Sequence, residues 1–174
     1  MRAENDYYPT PPYATEQLLK HEKFYGEIWE PACGEGHISK VLEAAGYTVL
    51  SSDLIDRGYG TGGIDFQEGW RGNKIVKDNI ITNPPYSDAQ SFVEQAKYVA
   101  KHKIAMLLRT AFLESQERYE FFQDKVFPLK CIHQFSKRLT IHKDGVDKKG
   151  GMAAYAWFVW DKDYVGNPYI SWIK

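Results

Sequence analysis

The chain has 174 residues, 43% hydrophobic and 26% charged, with a formal net charge of -1. That balance describes one ordinary globular domain, excludes a low-complexity or disordered chain, and confines any nucleic-acid contact to a local basic patch. The only cysteines are Cys33 and Cys131, and neither they nor the histidines His37, His133 and His142 have the spacing of a metal knuckle or a disulfide framework, so no metal and a reducing cytoplasm are expected.

The opening MRAENDYYPT lacks the apolar run of a leader, and nothing downstream approaches the roughly 18 uninterrupted apolar residues of a membrane span, so no membrane partner is expected. ATEQLLKHEKF, residues 14 to 24, predicts a first helix behind a proline-rich entry. GEIWEP predicts strand one. EGHISKVLEAAG predicts a helix with Ile38, Val41, Leu42 and Ala45 on one face and a stop at Gly46. TVLSSD supplies strand two, GGIDF a weak third strand and NIIT a fourth. DAQSFVEQAKYVAKH reads as a helix opened by Asp88 as N-cap candidate, KIAMLLRT as strand five, and ESQERYEFFQDKVF as a further helix. KCIHQFS and AAYAWFVWD are the last two predicted strands. Strands interleaved with helices imply a parallel sheet covered on both faces. The final two strands are joined by a loop without a helix, which permits antiparallel pairing. The expected fold is α/β, Rossmann-like and mostly parallel, as one domain over residues 1–174.

Strand one runs into EPACGEG, residues 30 to 36. Gly34 and Gly36 permit a tight turn and close approach of a ligand at the carboxyl end of the strand, where α/β sheets bind ligands. A GxG alone also suits a plain turn and helix start. Its companion Asp53 closes strand two, where an acid accepts hydrogen bonds from ribose hydroxyls. No GK[ST] follows, and Glu35 would repel phosphate at the helix start, so a nucleoside ligand without phosphates fits better. Glu30, Pro31, Ala32, Gly34, Gly36 and Asp53 are the candidate cofactor residues. Asp65 joins them as an acceptor for an adenine amino group, or it is a surface cap. Cys33 reads as a small packing residue.

Strand four ends in NPPY, Asn83 to Tyr86. Proline cannot donate to a ladder and holds its predecessor extended, so this turn is stiff. Such a turn suits methyl transfer to an exocyclic nitrogen whose lone pair is delocalised. The Asn83 oxygen and the Pro84 carbonyl each accept one N–H, Pro84 and Pro85 hold those acceptors still, and Tyr86 offers a stacking face worth about 1–3 kcal/mol to a planar base. Asn83, Pro84, Pro85 and Tyr86 are the candidate catalytic residues, with Asn83 also beside the cofactor. Arg109 and Phe112, after strand five, are packing residues or line the base pocket.

Taken together, EPACGEG, Asp53, Asp65 and NPPY resemble the S-adenosylmethionine-dependent amino-methyltransferases, specifically the DNA adenine-N6 branch, and the ending RLTIHKDG followed by AAYAWFVWD is similar to its small phage and prophage members. DYYPTPPYATEQLL resembles the segment that precedes the glycine loop in the gamma-type order of that family. The resemblance implies S-adenosylmethionine as cofactor, with Tyr8, Thr10 and Pro11 as contacts, and adenine in DNA as acceptor, reached by base flipping. It implies a seven-stranded sheet in the order 3-2-1-4-5-7-6 with strand seven antiparallel. Relatives in restriction-modification carry a separate target-recognition domain, for which 174 residues leave no room. Site choice then falls to loops, a specificity partner or a homodimer. RNA adenine and the glutamine amide of a protein are the alternative acceptors.

Between the last two strands, residues 137 to 149 carry five basic and two acidic residues. Such a patch suits phosphate contacts, although a solvated hairpin tip has the same composition. Arg138, Lys143, Lys148 and Lys149 are the candidate nucleic-acid contacts.

Overall fold

The computed structural model describes residues 7–68, 76–139, 141 and 153–174. Seven strands pair into one sheet in the order β2-β1-β3-β4-β6-β5-β7. They are β1 (Ile28–Glu30), β2 (Val49–Ser51), β3 (Lys77–Thr82), β4 (Ala100–Arg109), β5 (Leu129–Phe135), β6 (Tyr155–Asp161) and β7 (Tyr169–Ile173). The pairs β1–β2, β1–β3, β3–β4 and β5–β7 are parallel, while β6 runs antiparallel between β4 and β5. The α/β Rossmann-like class and the antiparallel strand between its parallel neighbours are as expected.

The composition of the seven differs from expectation at both edges. GGIDF forms no strand: only Thr61, the residue before it, makes an isolated parallel bridge, to Ser52, among the described residues. Paired glycines resist extension because they lose the most backbone freedom, and Gly63 sits at φ +73, outside any strand conformation. Asp65 then turns the chain by accepting the Gln67 N–H at 2.8 Å. On the opposite edge, Tyr169–Ile173 adds a parallel strand beside β5 that the expected order lacks.

Helices cover both faces, as the near-continuous apolar runs of β4 and β6 require. On one face α1 (Pro12–His21) and α2 (His37–Ala44) place Ala14, Leu18, Ile38 and Leu42 against Ile81, Leu107 and Trp157. On the other, α3 (Ala89–Val99) sets Phe92, Val93 and Ala96 against Ile80, Ile104 and Phe158. Trp157, Phe158 and Trp160 of β6 are fully buried, each worth about 1.5–3 kcal/mol of transfer free energy. The helix expected over residues 114–127 shrinks to α4 (Tyr119–Phe122). Asp124 ends it by accepting the N–H groups of Val126 and Phe127 at 2.8 and 3.2 Å.

Two polar fastenings tie α1 to the sheet. The Trp157 indole donates to the Ala14 carbonyl at 2.8 Å. Just past α1, Glu22 is 2% exposed and accepts from Lys103 at 3.0 Å, Lys130 at 2.9 Å and His133 at 3.1 Å. Burial alone would raise the Glu22 pKa, but the bonds from His133, Lys130 and Lys103 outweigh it and hold the carboxyl well below its usual range. Among the described residues no helix is long and apolar enough to cross a membrane.

Candidate active site

β2, β1, β3 and β4 all point their carboxyl ends to one edge of the sheet, and the loops leaving that edge enclose a cleft of about 270 Å³, at the small end of ligand pockets. After β1, Gly34 and Gly36 take φ +54 and +80, which turns the chain into α2. A Cβ on Gly34 would overlap the Tyr7 ring, and one on Gly36 the Tyr59 ring. The glycines are therefore required by two tyrosines packed on the loop, and neither glycine lines the cleft.

Asp53 organises this loop. Its two oxygens accept the N–H groups of Gly34 at 2.8 Å and Ile55 at 2.9 Å. Each carboxylate oxygen has a second lone pair, so the role expected toward ribose hydroxyls stays open to it. Glu30 is 1% exposed and accepts from both the N–H (2.8 Å) and the hydroxyl of Ser39. Burial, reinforced by the charges of Asp53 and Glu43, outweighs the Ser39 bonds and pushes its pKa up to about 8. Cys33 is buried, and burial with the nearby carboxylates of Glu30 and Asp53 pushes its thiol up to about 12, the state of a packing residue and not of a nucleophile.

The cleft wall is acidic. Glu30, Asp53, Asp65, Glu68 and Asp88 line it, with Arg57 as its only lining Lys or Arg among the described residues. Phosphate would be repelled here, whereas a ligand carrying positive charge and neutral hydroxyls is suited. Ala32, Leu54, Ile64, Phe66 and Phe92 supply apolar walls for a flat ring. Asp65 lines the cleft with one oxygen engaged by the turn N–H groups of Gln67 and Glu68.

Asn83 follows β3 and meets the N-terminal segment. Its Nδ2 donates to the Tyr8 carbonyl at 3.3 Å and to Thr10 Oγ1 at 3.0 Å. A carbonyl can only accept, so the amide nitrogen must face Tyr8. Asn83 Oδ1 consequently points the other way, and it is buried with no hydrogen-bond partner among the described residues. Only Asn83 Oδ1 and Arg57 Nε combine that state with a place on the cleft wall among the described residues. An orphaned buried acceptor costs about 1–3 kcal/mol, a cost relieved when a donor arrives. Pro85, at φ -53 and ψ 131, holds the turn extended before the 3-10 turn Tyr86–Asp88.

Tyr86 departs from expectation. Its ring offers no free face: it stacks on Tyr8 at 5.2 Å, tilts against Tyr155 at 5.7 Å and lies under the Arg109 guanidinium at 4.4 Å. Its buried hydroxyl makes no hydrogen bond of acceptable geometry, although burial first, then the nearby Tyr155, push its pKa far up.

Of the other candidates, Tyr8, Thr10, Pro31 and Ala32 line the cleft. Pro11 does not; it opens α1, its carbonyl accepting the Ala14 N–H at 2.9 Å. Pro84 is buried in the turn without lining the cleft. Tyr7, His37, Arg57 and Phe92 line it without having been expected. Arg138 borders a separate cavity with Gln134, Phe135 and Tyr155. Lys143, Lys148 and Lys149 lie outside the described residues.

Glu22, Cys131 and His133 place one ligand atom each within 4.8 Å of one another. Glu22 lies 109 residues from Cys131, so spacing along the chain gives no hint of this group. Two ammonium groups already neutralise the carboxylate and would oppose a cation there, which makes the cluster an ion-paired latch between α1 and β5.

No family model matches the chain, and no characterised protein matches it in sequence. Solved structures share its fold. A protein assigned as an RNA methyltransferase from Pyrococcus horikoshii superposes with a TM-score of 0.68 at 16% identity, covering 90% of this chain and 87% of that one. The modification subunit assigned to a type I restriction enzyme of Vibrio vulnificus gives 0.65 at 14%, with 95% of this chain covered. This chain spans 47% of that subunit's length. Magnesium protoporphyrin IX methyltransferase from Synechocystis, solved with S-adenosylmethionine bound, gives 0.57 at 13%, covering 87% and 76%. The architecture is thus the one these methyltransferases use.

Proposed function

We propose that this chain transfers a methyl group from S-adenosylmethionine to the exocyclic N6 of adenine in DNA, with the base flipped out of the helix. The observation that carries the reading is the buried Asn83 oxygen, held without a partner at the wall of an acidic, phosphate-repelling cleft.

The residues present fit the cofactor. Glu30, neutral in the empty cleft, is a carboxyl that an incoming ammonium group would draw toward its ionised form, Asp53 retains lone pairs for ribose hydroxyls, and Asp65 retains an oxygen for an adenine amino group. When bound, S-adenosylmethionine supplies an electrophilic methyl on a positively charged sulfur. Asn83 Oδ1 accepts one N–H of the target amino group, and the Pro84 carbonyl, the next acceptor along the turn although Pro84 does not line the cofactor cleft, takes the other, which turns the nitrogen lone pair outward. As that nitrogen formed its bond to the methyl carbon, the carbon–sulfur bond would break with its electron pair left on sulfur, releasing S-adenosylhomocysteine; the positive charge then on nitrogen would make an N–H acidic, and the same oxygens would steer the proton toward water. No strong base is needed, because the preorganised acceptors stabilise charge as it develops. Extrusion of the base supplies what the turn requires, since an N6 amino group paired in a duplex cannot reach a recessed corner. Target selection by a separate specificity partner is the arrangement suggested by the likeness to a modification subunit.

The test is product identity. Protein incubated with methyl-labelled S-adenosylmethionine and duplex DNA, single-stranded DNA, RNA or cell extract is followed by digestion of the acceptor. N6-methyladenine in DNA is the expected product. Label confined to RNA would shift the acceptor class, as the likeness to the Pyrococcus protein would favour, and label confined to protein would overturn the reading.

A further inference from the structure

The carboxyl edge of the sheet divides in two. β2, β1 and β3 face the acidic cleft. On the other side of Asn83, β4 ends at Arg109, paired across strands with Tyr155 at the start of β6, and the chain beyond β5 reaches Arg138. There the polarity inverts. Arg109 is exposed, and among the described residues it has no carboxylate partner; its contact is the Tyr86 ring. A cavity bordered by Gln134, Phe135, Arg138 and Tyr155 opens next to that ring cluster.

We propose that Arg109 is the anion-recognising residue of an acceptor subsite built on Tyr86 and Tyr155: in the absence of acceptor its planar guanidinium covers the Tyr86 ring, and on entry it gives up the ring to the planar acceptor and binds a phosphate next to it. The inference rests on the nucleic-acid reading above.

Four arguments support it. A guanidinium over an aromatic face is a flat, delocalised cation filling the volume in which a flat ring would stack, so the two compete for one place. An exposed cation–π contact is among the weaker interactions a guanidinium makes, and a phosphate offers it a bidentate, charge-assisted pair instead. The neighbouring wall is also suited to this exchange: the Tyr86 ring is buttressed by Tyr8 and Tyr155, so it keeps its place when Arg109 leaves. The acidic cleft on the far side of Asn83 would repel the same phosphate, which orients a nucleotide with its base toward Asn83 and its backbone toward Arg109.

The experiment crosses two changes on a single-stranded oligonucleotide that the wild type methylates. The protein is wild type, Arg109→Ala or Arg109→Lys. The oligonucleotide has natural linkages or neutral methylphosphonates flanking the target adenosine. Steady-state methylation is read together with oligonucleotide affinity in the presence of S-adenosylhomocysteine. Arg109→Ala is expected to raise KM and Kd at least 10-fold on natural linkages with kcat changed less than about 3-fold, and to lower the slope of log Kd against log salt by about 0.7. On the methylphosphonate oligonucleotide the same substitution is expected to change Kd less than 2-fold. Arg109→Lys is expected to recover the salt slope with part of the affinity. Equal losses on both oligonucleotides, or a fall in kcat with Kd unchanged, would overturn the phosphate assignment while leaving methyl transfer standing. Failure of the wild type to methylate any oligonucleotide would instead remove the nucleic-acid reading and this subsite with it.

Discussion

Replacing Glu30 by glutamine is expected to abolish a pH-dependent loss of stability that the wild type carries. Glu30 is 1% exposed, and its pKa is pushed up to about 8 from 4.5 by burial first and then by the charges of Asp53 and Glu43. A carboxyl whose folded pKa lies above its unfolded value contributes fully below the unfolded value, and that contribution is lost as pH rises through the folded one. At about 1.4 kcal/mol per pKa unit the whole effect is about 5 kcal/mol, of which about 4 kcal/mol falls between pH 5 and pH 9. Glutamine matches the neutral acid in shape and accepts the same two bonds from Ser39, but it never ionises. Urea unfolding of both proteins without ligand, at fixed pH values from 5 to 9, isolates the effect, because all other titrations cancel in the difference. The stability of the variant relative to wild type is expected to climb by several kcal/mol toward pH 9. Parallel profiles, agreeing within about 0.5 kcal/mol, would show that the Glu30 carboxyl is not held neutral and would refute the reasoning.

Three further outcomes follow from the same geometry. Gly34→Ala puts a side chain at φ +54 against Tyr7; unfolding should show a loss of about 1–2 kcal/mol, and calorimetry a larger loss of S-adenosylmethionine affinity as the N-terminal segment is displaced. Glu22→Gln leaves Lys103, Lys130 and His133 facing a neutral amide and should cost about 3 kcal/mol at neutral pH. Because the folded Glu22 pKa is depressed, its contribution is present above the unfolded value and disappears as pH falls through the folded one, so the gap to wild type should close in acid. Tyr86→Phe removes a buried hydroxyl that makes no hydrogen bond to the described residues and should be neutral or up to about 1 kcal/mol stabilising in urea unfolding; a loss above that would mean that the hydroxyl is paired.

Much of the sheet was legible because β4 from Ile104 to Leu108 and β6 from Tyr155 to Trp160 are buried on both faces and read as continuous apolar runs, while β3 and β5 keep shorter apolar stretches between turn and loop residues. The edges were not. GGIDF has strand-like side chains, but Gly63 at positive φ prevents the extension they suggest, and Phe66 instead turns inward against Trp29 at 5.1 Å. YISWI at the other edge pairs only with β5, and with Ile170 and Trp172 largely exposed it carries no clear burial pattern. At the site, the acids Glu30, Asp53 and Asp65 and the NPPY turn were readable from motif order. Three-dimensional partnerships were not: Asn83 reaches Thr10 across 73 residues, and nothing local in the sequence announces that this bond fixes which way the amide oxygen points. Tyr86 shows the same limit, since a stacking aromatic and one covered by an arginine are identical in sequence.

The account depends most on the Asn83 oxygen, and a paired measurement on Asn83→Ala tests it directly. S-adenosylmethionine affinity by calorimetry is expected to change less than about 5-fold, while single-turnover methyl transfer to DNA falls by about 10²–10³. Transfer at the wild-type rate, with cofactor affinity intact, would contradict the mechanism at its centre.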